Sequence, residues 1–160
     1  MSTSKSGSKN SDIQTDNLIV LETFGKLRRM LNLVATQQLK HLGIGVKQAI
    51  LLREIRRMQP VCVADIARIT VTDPTAAGRA ITCLIEKNWV HRIDHPEDRR
   101  RWQVSLTPKG EKATDEVERL FKSLAGTFCD PLNASEKTHF LETLQKIKNV
   151  LNKEEIKDTL

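Results

Sequence analysis

The sequence has little that would serve an enzyme, a disulfide-stapled secreted domain or a membrane protein. Its three cysteines, Cys62, Cys83 and Cys129, are an odd number without C-x-x-C spacing. That argues against a disulfide framework or a zinc site and for a reducing, cytoplasmic setting. No stretch approaches the roughly 18 apolar residues that a bilayer span requires, and the opening "MSTSKSGSKNSD" has no apolar core of a signal peptide. There is no Gly-rich phosphate loop, no H-E-x-x-H and no G-x-S-x-G. His41, His91, His95 and His139 follow no metal-ligand pattern; His91 and His95 are four apart, but on a predicted hairpin rather than a helix. Neither catalysis, nor a metal, nor a cofactor, nor a membrane partner is expected.

Positive charge is what the chain has in excess, and it is concentrated. The formal charge is +6 and the isoelectric point about 9.4. Residues 40–112 hold 14 Lys or Arg and 8 Asp or Glu, so this segment carries the entire excess, while the remainder holds 12 of each sign. Charge acts over about a Debye length, roughly 8 Å, so a concentrated excess marks a surface for an anionic partner. At 160 residues the chain has room for one domain with a true core, plus helical extensions.

Periodicity predicts a mainly α-helical chain. The Ser- and Lys-rich residues 1–12 read as a disordered tail. From about Asp16 to His41, Leu18, Leu21, Phe24, Leu27, Leu31, Val34 and, just beyond, Leu42 recur at helical spacing. "VKQAILLREIRRMQP" repeats the pattern and Pro60 ends it. "VADIARI" fits a short third helix. In "VTDPTAAGRAITCLIEKNWV", Asp73 suits an N-cap, Pro74 the first helical position and Asn88 a left-handed stop, which predicts a fourth helix from Pro74 to about Lys87. "WVHRID" and "RWQVSLT" flank the turn-rich "HPEDR" as a β-hairpin. Thr107 and Pro108 then start a helix through Val117, Leu120, Phe121, Leu124 and Phe128, which Asp130 and Pro131 interrupt. Asn133 and Glu136 form a capping box for a last helix bearing Phe140, Leu144, Ile147 and Leu151. Two helices separated by a few residues and followed by a hairpin describe a winged helix-turn-helix.

The span from Val63 to Gly110 resembles the winged-helix core of the MarR family, the multiple antibiotic resistance regulators of bacteria. Its most specific part is "DHPEDRRRWQVSLTPKG", similar to that family's wing signature of an acidic turn, D-R-R, a strand, then L-T and Gly. The resemblance implies a homodimeric transcription regulator binding double-stranded DNA. It divides the chain into the tail, an N-terminal dimerisation helix (13–42), a winged helix-turn-helix DNA-binding domain (43–110) and C-terminal dimerisation helices (111–160). The terminal helices are apolar along one face yet electrically balanced, as a protein-binding surface should be. About half of their apolar residues are expected to pack on their own core instead.

DNA contact is expected from the fourth helix and the hairpin. On a helical wheel Ala77, Ala80, Ile81, Leu84 and Ile85 share a core face, with Thr75, Gly78, Arg79 and Thr82 opposite. Arg79 suits a bidentate contact with guanine, Thr75 or Thr82 a phosphate or base edge, and Ala76 a thymine methyl. The bland alternative for Arg79 is a solvated charge. Gly78 stands where the family more often has Thr or Ser, and either lets the backbone approach DNA closely or is merely tolerated. Arg99, Arg100 and Arg101 at the wing tip suit the electronegative minor groove, Arg100 being the residue the family match inserts. Arg92 is expected to pair with Asp94 or Asp98 and hold the wing's shape.

A two-fold dimer implies a pseudopalindromic operator with half-sites about 34 Å apart, and repression by promoter occlusion. The family also implies a small phenolic or lipophilic effector, though the residues name no ligand site. A cysteine-based redox regulator is one alternative. It is weakened because the family's peroxide sensors keep their cysteine near the start of the first helix, whereas no cysteine precedes Cys62. Cys62 falls at the cap of the third helix, a place that can activate a thiol; inert packing is the simpler reading. Cys83 and Cys129 read as packing. A sequence-neutral architectural or interaction winged helix is the other alternative, distinguished by the absence of preference for any duplex.

Overall fold

The structure, a computed structural model, describes the backbone of residues 7–94 and 102–157 and the side chains of 16–94 and 102–152. Helix α1 (Gly7–Leu39) leads through a short 3-10 turn (Lys40–Leu42) to α2 (Val46–Met58). Strand β1 (Val61–Cys62), α3 (Val63–Ile69) and α4 (Pro74–Glu86) follow. Strands β2 (Val90–Asp94) and β3 (Trp102–Leu106) form the hairpin, and α5 (Pro108–Cys129) and α6 (Ala134–Lys157) complete the chain. The expected architecture, mainly α with a winged helix-turn-helix, is the one observed. Two details differ. Residues 7–12 belong to α1 rather than to a tail; they contain no proline, and their polar residues cost at most about 0.7 kcal/mol each in a helix, Gly7 somewhat more. The sheet also has a third strand, in the order β1-β3-β2.

Local chemistry sets the boundaries. Asp73 Oδ1 accepts the Ala76 N–H at 2.8 Å with Pro74 in the first turn of α4. Thr107 Oγ1 accepts the Gly110 N–H at 2.9 Å to start α5. Asn133 and Glu136 exchange reciprocal bonds of 3.0 and 2.8 Å ahead of α6. Each is a side chain satisfying an N–H that the first turn of a helix leaves without a partner.

The chain divides into two compact units, one up to Phe121 and one from Lys122 onward. The first has a continuous core in which Leu39, Leu52, Ile55, Ile66, Ile81, Leu84, Val104 and Val117 are fully buried. It therefore draws on α1, α2, α3, α4, β3 and α5. Gly110 lets the first turn of α5 lie on the chain entering β2: a Cβ there would sit 1.8 Å from the Trp89 carbonyl oxygen. Gln59 ties α2 to both neighbours. Its Oε1 accepts from Leu106 N at 2.7 Å and Ser105 Oγ at 3.0 Å, and its Nε2 donates to Glu111 Oε1 at 2.9 Å.

Charged pairs reinforce the same seam between α2 and α5. Arg53 Nε donates to Glu118 at 2.9 Å, with its guanidinium 4.5 Å from the centre of the Phe121 ring. Arg56 reaches Asp115 at 2.8 Å and the Glu111 carbonyl at 3.0 Å. The hydrogen bond from Arg53, aided by the charges of Arg53, Arg57 and Arg56 against a smaller opposing effect of burial, holds the Glu118 carboxyl below the usual glutamate range.

The large apolar residues of the terminal helices divide mainly by helix. Val117 of α5 is buried and Leu120, Phe121, Leu124 and Phe128 are half-buried, as are Leu31 of α1 and Leu144 of α6, whereas Leu18, Leu21, Phe24, Leu27 and Val34 of α1 and Phe140, Ile147 and Leu151 of α6 are exposed.

Candidate nucleic-acid interface

Helix α4 has one buried and one open face, as its sequence requires. Ala77, Ile81 and Leu84 are fully buried, and Ala80 and Ile85 pack partly against the core. Thr75, Arg79 and Thr82 are exposed on the other side. Among the described residues, the arginines bound to carboxylates are Arg53, Arg56, Arg57 and Arg68. Arg79 is not one of them, and it is exposed. Thr82 Oγ1 donates to the Gly78 carbonyl at 3.0 Å and is left free to accept. A Cβ added at Gly78 would meet nothing within 4 Å. Packing therefore does not require glycine there. Ala76 departs from the expectation of a fully outward methyl: it is half-buried and lines a cleft with Lys47 and Ile50 of α2 and Thr70 and Thr72. The cleft has a volume of about 30 Å³, far below that of ligand pockets, about 300–1,000 Å³.

Two helix ends bracket this unit and share one hydrogen-bond pattern. At the end of α4, Asn88 N–H donates to the Ile85 carbonyl and Trp89 N–H to the Leu84 carbonyl, with Asn88 at φ +57°. At the end of α3, Val71 N–H donates to Arg68 and Thr72 N–H to Ala67, with Val71 at φ +49°. This termination normally uses glycine, sometimes asparagine. A β-branched residue in the left-handed region costs about 1–3 kcal/mol. The Thr70 and Thr72 hydroxyls, 3.1 Å apart, lock the turn, Thr72 Oγ1 also donating to the Thr70 carbonyl at 3.1 Å. The sequence reading passed over Val71. Its signal was the lack of Gly or Asn between a helix end and the Asp73 cap.

The wing is an antiparallel ladder in which Val90 faces Leu106, Arg92 faces Val104 and Asp94 faces Trp102. Arg92 does not pair with Asp94 as expected; its guanidinium lies 4.7 Å from the centre of the Trp102 ring. Asp94 is two residues along the same strand, about 6.6 Å away, whereas Trp102 is the diagonal cross-strand neighbour on the same face. Asp98, the other expected partner of Arg92, and Arg99, Arg100 and Arg101 lie outside the described residues. Cys62 occupies the N-cap position of α3, buried and without a side-chain capping bond.

Among the described residues no helix is long and apolar enough to cross a membrane. Residues 46–102 match the model of the MarR family. A curated relative, the HTH-type transcriptional regulator BilQ of Clostridium symbiosum, is 28% identical over 83 residues, covering 52% of this chain and 58% of that protein. The crystal structure of the Staphylococcus aureus MepR–DNA complex is similar with a TM-score of 0.77 at 21% identity, covering 81% of this chain and 96% of that one. Staphylococcus aureus MarR in complex with salicylate and kanamycin is similar with a TM-score of 0.78 at 20% identity, covering 90% and 97%. At such identities the solved structures speak to the fold, which they share with the described helices and wing. Family match, curated relative and common fold together make this chain similar to the MarR family over residues 46–102 and in its fold.

Proposed function

We propose that the protein is a sequence-specific transcription regulator that binds double-stranded DNA as a homodimer. The observation that carries this reading is α4, whose Ala77, Ile81 and Leu84 are fully buried while Thr75, Arg79 and Thr82 stand exposed. In the segment that holds the whole basic excess, Arg79 has no carboxylate partner among the described residues. A helix presented in this way reads base edges in the major groove, and a hairpin beside it reaches the neighbouring minor groove. Thr75, Ala76, Gly78, Arg79 and Thr82 are the groove-reading residues of this proposal. Arg99, Arg100 and Arg101 are its wing residues, and Arg92 stiffens the wing through Trp102.

The exposed apolar residues of α1 and α6 support dimerisation, with residues 13–42 and 111–160 supplying the interface and 43–110 the DNA-binding part. Leaving a Leu or Phe exposed forgoes about 1.5–3 kcal/mol, so such faces favour a partner. The proposed mode is repression by occluding a promoter, in the cytoplasm, with the dimer seated on a pseudopalindrome; activation from the same site is the alternative. Release by a small phenolic or lipophilic effector is supported by the solved salicylate complex of Staphylococcus aureus MarR. Such an effector acts only by binding the DNA-competent and incompetent states with different affinity.

The test compares one preferred duplex with random DNA. Arg79→Ala is expected to cost about 1–3 kcal/mol on the preferred site and to relax base choice, while Arg99→Ala weakens all duplexes alike. Equal losses on both DNAs for both variants would instead support a sequence-neutral architectural protein.

A further inference from the structure

Val71 combines three properties that the fold alone does not account for. Its backbone lies in the left-handed region at φ +49°, where a β-branched side chain is unfavourable. Its side chain is 80% exposed, the highest value among the exposed large hydrophobic residues described. It also sits in the turn between α3 and α4, two residues ahead of the Asp73 cap that starts the reading helix. The same hydrogen-bond pattern at the end of α4 uses Asn88, so this chain has the conventional solution in one place and departs from it in the other. A residue that neither fills the core nor suits its own backbone contributes nothing visible to the isolated fold. Its two methyl groups point into solvent beside the helix that carries Thr75, Arg79 and Thr82.

We infer that Val71 is a further DNA contact, an apolar finger that meets nonpolar carbon of the duplex at the wall of the major groove. The inference rests on the proposed reading of α4 as the groove-reading helix. Two carbons of the duplex offer that chemistry: the C5-methyl of thymine, which apolar side chains recognise in the major groove, and the edge of the deoxyribose. Thr70 and Thr72 brace the turn from either side, so the finger is held in place before DNA arrives. Strain in the free protein is then retained because the side chain is used in the complex.

Two variants of the full chain test this on the duplex recovered by selection from random-sequence DNA. Val71→Asn keeps the left-handed backbone and removes the methyl groups. It is expected to raise the melting midpoint by about 2–4 °C and to weaken binding roughly tenfold, about 1.4 kcal/mol, with the salt dependence unchanged because no charge is lost. Val71→Thr keeps the branched shape and one methyl and is expected to bind within about twofold of the parent, equivalent to roughly 0.4 kcal/mol. Replacing thymine by deoxyuridine in each half-site distinguishes the two carbons. Weaker binding by the parent but not by Val71→Asn identifies the thymine methyl; no change in either, with Val71→Asn still weak, identifies the deoxyribose. If Val71→Asn binds as tightly as the parent, or loses stability together with affinity, the inference is wrong while the proposed function stands. If the parent selects no site at all, both fall together.

Discussion

The lobe built from the end of α1, from α2, α3, α4 and the wing, and from the start of α5 buries most of its apolar residues, whereas the rest of the first helix and the last helix do not. On the inner face of α4, Ala77, Ile81 and Leu84 are fully buried and Ala80 and Ile85 half-buried. On α1, Leu21 and Phe24 stand 67% and 50% exposed despite equally regular spacing. Charge divides the same way: residues 40–112 hold all the positive excess and the rest is neutral. One region is complete as a fold and electrostatically unfinished, and the others are neutral but unfinished as packing. A basic surface attracts an anion and an apolar face another apolar face, so the proposed function assigns the two regions different partners.

The largest effect expected inside the self-sufficient lobe comes from Gly110→Ala. Its Cβ would collide with the Trp89 carbonyl, a backbone atom that cannot turn aside. We predict a loss of about 3 kcal/mol or more, read by urea unfolding, and parent-like stability would show that α5 packs elsewhere. On the apolar side, Phe24→Glu with Leu27→Glu is predicted to leave the lobe folded but to convert dimer to monomer, measured by sedimentation. Specific DNA affinity should then fall about 100-fold with the loss of two-site binding. A variant that stays dimeric would move the interface off α1.

Smaller changes sharpen the contrast. Gly78→Ala meets open space and should raise fold stability by about 0.5–1 kcal/mol. If the backbone approaches DNA there, specific binding weakens at the same time; unchanged binding would make Gly78 merely tolerated. The smallest effect concerns Glu118, whose carboxyl Arg53 holds below the usual range. A depressed folded pKa contributes stability above the unfolded value, near 4.3, and loses it as pH falls through the lower, folded value. Glu118→Gln should therefore flatten the acid limb of the stability profile by less than about 1 kcal/mol, with near-neutral pH as the reference.

Much of the fold was legible because its signals are local. Asp73 with Pro74, Thr107 with Pro108 and Asn133 with Glu136 each act within three residues, and the structure places helix starts at all of them. The limits of α3 agree with the sequence pattern residue for residue. What escaped depends on contacts distant in sequence. Strand β1 is two residues long and becomes a strand only through Val104 and Gln103, and Gln59 takes its role from partners 46 to 52 positions away. Arg92 was read against a carboxylate, but cross-strand register sets Trp102 beside it. The family's wing motif includes Gly110 without saying why; the Trp89 carbonyl supplies the reason. The face of α4 was readable from helical spacing, apart from Ala76, whose half-burial depends on the approach of α2 and of Thr70 and Thr72.

The central claim, that two copies of this basic lobe read a symmetric duplex, is tested most directly by selecting binding sites from a pool of random double-stranded DNA with the full chain. The account predicts a two-fold symmetric consensus whose half-sites are about one helical turn, near 34 Å, apart. Recovery of sequences with no shared motif would contradict it.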